Sequence, residues 1–90
     1  MQTISRTMAL AEMEVKEAGG RPVFFSVSFY TKAGEVRFIQ RAQLCGWKND
    51  MGANRIRNIQ EYDIHGFPVG HAVAVSIDLL RTFNEQKVIL

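Results

Sequence analysis

Between Val23 and Leu44 apolar and polar side chains alternate with period two on either side of a short turn, the pattern of a β-hairpin. The first arm is Val23 to Thr31, the turn Lys32-Ala33-Gly34-Glu35, and the second arm Val36 to Leu44. If Thr31 pairs with Val36, then Phe29 faces Phe38, Val27 faces Gln40, Phe25 faces Ala42 and Val23 faces Leu44, and one side of the ribbon is almost wholly apolar. The other side carries Phe24, Ser26, Ser28, Tyr30, Lys32, Glu35, Arg37, Ile39, Arg41 and Gln43. A slip of one residue, with a three-residue loop and Gly34 as a bulge, instead sets Arg37 and Arg41 beside Phe25, Val27 and Phe29. Burying guanidinium groups without partners is costly, so the first register is the expectation.

The rest of the chain reads as material packed on this ribbon. Ninety residues make one domain, residues 1–90, with little core to spare. An apolar content of 47% and a charged content of 22% are ordinary for a soluble globular chain. No run of eighteen apolar residues and no basic-then-apolar leader is present, so neither a membrane span nor secretion is expected. Cys45 is the single cysteine; an internal disulfide is excluded, and a reducing, cytoplasmic setting is expected.

Along the chain, Ser5 to Ala18 predicts a helix, with Ile4, Met8, Ala11, Val15 and Ala18 on one stripe and Gly19-Gly20 as its stop. Ala11 to Lys16 also alternates like a strand, so that alternative stays open. Arg21-Pro22 begins the hairpin. Gly46 to Gly52 is a polar loop in which Trp47 is either a lid on the core or a stacking surface. Asn54 to Tyr62 predicts an edge strand, Asp63 to Gly70 a turn cluster, and His71 to Ile77 a strand with small residues on one face. A short helix capped by Ser76 and leaving through Asn84 precedes a last strand over Lys87 to Leu90. Together these predict an α+β fold: an N-terminal helix, a curled antiparallel sheet of about five strands in the style of a small SH3-like or OB-like barrel, and a short helix before the last strand.

The chemical inventory argues against an enzyme. Cys45 lies far in sequence from His65 and His71 and reads as a small core residue, and no paired cysteine or histidine spacing marks a metal site. No glycine-rich phosphate loop occurs, and no catalytic residue, metal or cofactor is expected. Charge is more informative, because the net +2 is unevenly spread. Lys32 to Arg57 holds six bases and two acids; the remainder holds five bases and seven acids. The candidate binding face is therefore Phe24, Tyr30, Arg37, Ile39 and Arg41, extended by Trp47, Lys48, Arg55 and Arg57. Aromatic residues and arginine are enriched at protein interfaces, which predicts an interaction or assembly module that pairs with itself or a protein partner, with no membrane contact. The alternative is a single-stranded DNA- or RNA-binding protein, since flat rings and cations are what unstacked bases and phosphates need. The run Gly70-His71 through Val75-Ser76-Ile77-Asp78-Leu79, then Phe83-Asn84 and Lys87-Val88-Ile89, resembles the ends of small bacterial or phage-borne domains. That resemblance covers about a fifth of the chain, transfers no site, and implies at most an accessory protein of a mobile element.

Overall fold

In the computed structural model, which describes residues 2–45 and 55–90, the chain reverses between its two central strands on Gly34, whose φ of +85° suits glycine. The Gly34 N–H donates to the Thr31 carbonyl at 2.9 Å, and the Thr31 N–H to the Glu35 carbonyl at 2.7 Å. This is the three-residue loop with a glycine bulge. The strands it joins run Phe25–Tyr30 and Val36–Leu44, and their ladder pairs Tyr30 with Val36, Phe29 with Arg37, Ser28 with Phe38 and Val27 with Ile39. The expected facing of Phe29 and Phe38 is thus corrected by one residue. Phe25 nevertheless pairs with Ala42 as expected, because between the two sets Gln40 and Arg41 lie opposite the single Ser26. A bulge of this kind resets which side chains point inward.

Numbered in chain order, the elements are β1 (Thr3–Ser5), α1 (Arg6–Met13), β2 (Glu17–Ala18), β3 (Arg21–Pro22), β4 (Phe25–Tyr30), β5 (Val36–Leu44), β6 (Ile56–Tyr62), β7 (Pro68–Ser76), β8 (Leu80–Phe83) and β9 (Gln86–Ile89). Seven strands form one sheet in the order β1-β9-β8-β4-β5-β6-β7; β2 and β3 form a separate ribbon. All neighbours in the large sheet are antiparallel except β1 and β9. The α+β class is met, but the five-stranded barrel is not: the sheet has seven strands and stays open, with β1 and β7 as its edges. β6, expected at an edge, lies between β5 and β7. One apolar cluster forms the core, built from Phe25, Val27, Phe29, Ile39, Ala42, Leu44, Ile59, Val75 and Phe83 with Ala9 and Met13 of α1.

The helix is shorter than its sequence pattern suggests. Ser5 caps it, its hydroxyl accepting the Met8 N–H at 3.2 Å, and it ends at Met13. It buries Ala9 and Met13, while Met8 and Val15, expected inside, are exposed. Gly19 and Gly20 have φ of 59° and 78° and form the turn between β2 and β3 rather than a helix stop. Near the other end, Ser76 accepts the Asp78 N–H at 3.3 Å and caps a single 3-10 turn, Ile77–Leu79, after which the chain is extended rather than helical. Asn84 does take a positive φ, but as half of the two-residue β8–β9 turn with Glu85. Its side-chain oxygen accepts the Ser26 N–H at 2.9 Å and its own N–H donates to the Ser26 carbonyl at 2.8 Å, tying that turn to β4. Among the described residues no helix is long and apolar enough to cross a membrane.

Two substitutions test this description. Phe83 is among the largest fully buried side chains, its ring centroid 5.3 Å from that of Phe25, so Phe83→Ala is expected to lower unfolding free energy in urea by about 3–5 kcal/mol. Glu85 holds a left-handed conformation that disfavours any L side chain, so Glu85→Gly is expected to raise it by roughly 1 kcal/mol. Equal stability of Glu85→Gly and wild type would contradict the turn geometry.

Candidate interaction surface

With the register reset, the side of β4 and β5 turned away from the core carries Ser28, Tyr30, Val36 and Phe38. Ser28 is buried and its hydroxyl lies 2.5 Å from that of Thr82 on β8, a cross-strand pair of the kind that stabilises sheets. The other three are not covered: Tyr30 is 42% exposed, Val36 50% and Phe38 58%. Tyr30 sits directly opposite Val36, and Phe38 follows two residues along the same strand, so the three form one apolar patch. A second bulge extends it. On β8 the residues paired with Ser28 and Phe29 are Thr82 and Leu80, which leaves Arg81 as the extra residue. Its guanidinium carbon lies 5.3 Å from the centre of the Tyr30 ring, a cation–π contact. Lys87 of β9 pairs with Thr82 and continues the row, and a groove of about 450 Å³ beside Tyr30 is lined by Arg81, Thr82 and Lys87.

The residues expected to share one binding face are dispersed. Ile39, expected at its centre, is only 1% exposed and belongs to the core; the bulge at Gln40 and Arg41 turned it inward. Arg37 lies on the core side of β5 but at the open end of the strand, its Nη2 3.8 Å from Glu61 Oε1. It meets Tyr30 at a cleft beside the hairpin tip. Phe24 and Arg41 line a separate open groove with Ser26, Gln40 and Asn84, and the Phe24 ring packs on Tyr62 with centroids 5.1 Å apart. Arg57 is half-buried on β6, where its Nη1 donates to the Ile56 carbonyl at 3.2 Å. Trp47 and Lys48, like the expected loop around them, lie outside the described residues.

Arg55 is held elsewhere. Its Nε donates to Asp78 Oδ2 at 2.8 Å and its Nη2 to Asp78 Oδ1, a two-pronged contact, while Arg6 Nη1 reaches the same Oδ1 at 3.1 Å. The carboxylate thereby joins the start of α1, the segment leading into β6 and the 3-10 turn. Hydrogen bonding to Arg55 is the chief reason the Asp78 carboxyl is held below the ordinary carboxylate range; the charges of Arg55 and Arg6 add to it and desolvation opposes it. Among the described residues, no three histidine, cysteine, aspartate or glutamate side chains converge as a metal site would require.

Phe38, Val36, Arg81 and Lys87 are the members that reading the alternation did not find. A signal for Val36 and Phe38 exists: Thr31-x-x-Gly34 recurs as Asp63-x-x-Gly66, where Gly66 has φ +86° and the Asp63 and Gly66 amides repeat the same two hydrogen bonds at 2.9 and 3.0 Å. A glycine three residues after a turn-forming Thr or Asp marks this loop, and the loop dictates the slipped register. No protein-family model, curated protein or solved structure matches the chain.

The Asp78 contacts carry a pH signature. A carboxyl whose folded pKa is depressed contributes stability above its unfolded pKa and loses that contribution as pH falls through the folded value. Asp78→Asn is therefore expected to lower the urea midpoint at pH 7, with the gap to wild type closing on acidification below the carboxylate range. A gap of constant size down to acid pH would show that the ion pairs contribute nothing.

Proposed function

We propose that this protein is a small non-enzymatic interaction module that self-associates through the outer face of β4 and β5. The observation that carries the reading is the patch of Tyr30, Val36 and Phe38, three large apolar side chains left half open on one face with Arg81 at its margin. Aromatic residues and arginine are the side chains that dominate protein contacts once water is excluded. Full burial of each large apolar side chain is worth roughly 1.5–3 kcal/mol relative to exposure. A two-fold pairing counts each of them twice, since the same patch serves both copies. The half-buried lone Cys45 fits a reducing compartment, where such a module needs no disulfide.

A second reading uses the same face. Arg81 and Lys87 stand beside the Tyr30 and Phe38 strands, so the surface also offers two rings and two cations to a single-stranded nucleic acid. Sedimentation across a concentration series separates the two. Wild type is expected to shift from monomer to dimer as concentration rises, and Phe38→Ser, at an exposed site, to weaken the dimer about tenfold or more without unfolding the chain. A persistent monomer whose affinity for labelled single strands falls steeply with salt would transfer the face to the second reading. A monomer with no such affinity would remove both.

A further inference from the structure

β7 hydrogen-bonds to β6 on one side and, among the described residues, to no strand on the other. Exposed edges are ordinarily guarded by lysine, by proline or by an inward charge, because their free amides and carbonyls invite another strand. β7 has no such guard: Val69 to Ser76 contains no carboxylate, ammonium or guanidinium, and Pro68 is only its first residue. Where its register with β6 breaks, the Gln60 amide donates to the Val69 and Gly70 carbonyls at 3.1 and 3.3 Å, so the irregular stretch is held from the β6 side.

Beside the C-terminal half of this edge lies a cleft of about 350 Å³ between β7 and the tip of the β4–β5 hairpin. Phe29, Ile56, Val73 and Leu79 give it apolar walls, Lys32 and Arg37 give it cations, and no carboxylate lines it. Among the described residues Lys32 has no hydrogen bond or ion pair, and the carboxylate nearest Arg37, on Glu61, is 3.8 Å away, beyond hydrogen-bonding range. Strand addition draws affinity from main-chain hydrogen bonds and specificity from pockets for alternate side chains. We propose that β7 is a docking edge for an extended peptide of a partner protein, one with an apolar side chain that enters the cleft and an acidic side chain that sits between Lys32 and Arg37. A second β7 is the poorer occupant, since it brings no acid to these two cations. The cleft shares only Tyr30 with the outer patch, so the inference stands apart from self-association.

The test titrates the full chain with a fluorescein-labelled eight-residue peptide, Thr-Val-Thr-Glu-Thr-Val-Thr-Glu, whose valines and glutamates share one face of an extended strand, and follows anisotropy. Two controls run beside it, one with lysine for glutamate and one with alternate amides N-methylated. The glutamate peptide is expected to bind about tenfold tighter than either control. The pair Lys32→Glu and Arg37→Glu is expected to reverse the preference toward the lysine peptide, and Phe38→Ser to leave it unchanged. If the reversed chain fails to fold, the N-methylated control on wild type still decides. Equal binding of the acidic and basic peptides, indifference to N-methylation, no binding at all, or a dimer that Ala74→Lys dissociates would each overturn the proposal.

Discussion

One extra residue in β5 governs the rest of the molecule. Because Gln40 and Arg41 together oppose Ser26, Ile39 and Ala42 both reach the core although they are three apart, a spacing that a regular strand forbids. Without the bulge, an inward Ile39 would bring Arg41 and Gln43 in behind it, and an inward Ala42 would bring Gln40. With it, β5 sets Ile39 opposite Val27 in its first half, then Ala42 between Phe25 and Glu61 and Leu44 opposite Ile59 in its second. The arginine that faces inward, Arg37, sits at the strand end, where its guanidinium stays in reach of water and Glu61.

Around that ribbon, local chemistry closes the turns and ties distant segments together. Glycines at positive φ close the turns at Gly34 and Gly66, Gly19-Gly20 closes the small ribbon, and Asn84 fastens the β8–β9 turn to Ser26. Asp78 gathers Arg6 and Arg55, drawing together pieces of chain far apart in sequence at an exposed site. α1 contributes only Ala9 and Met13 to the fully buried set, so the helix is a cover for one end of the sheet rather than a second layer of equal weight.

The same economy leaves surface open. The open sheet has a long edge without the charges that normally protect one, and its outer face leaves Tyr30, Val36 and Phe38 in contact with water. The excess of bases between Lys32 and Arg57 does not become a single basic face. Glu61 lies near Arg37, Asp78 takes Arg55, and Arg41 stands in a different groove from Tyr30. Of that stretch, Lys32 stands beside apolar surface at the hairpin tip, and outside it Arg81 and Lys87 do the same along β8 and β9.

Local sequence settled a good deal. The period-two runs placed the two arms of the hairpin and the strand from residue 71 to 76, though not its start at Pro68, which lies in the expected turn cluster; the Ser76 cap and the positive φ at Asn84 followed from residue type, and the α+β class followed from the order of elements. These are short-range effects, decided by φ preferences and by hydrogen bonds a few residues long. Which side of each strand met the core was decided only in three dimensions. The penalty for an inward Arg37 argues against the slipped register, yet that penalty depends on depth, and depth depends on where the strand ends relative to its neighbours. The same holds for β7, whose alternation is that of any half-buried strand; its place at the edge, and the cleft beside it, exist only because the sheet stops there instead of closing.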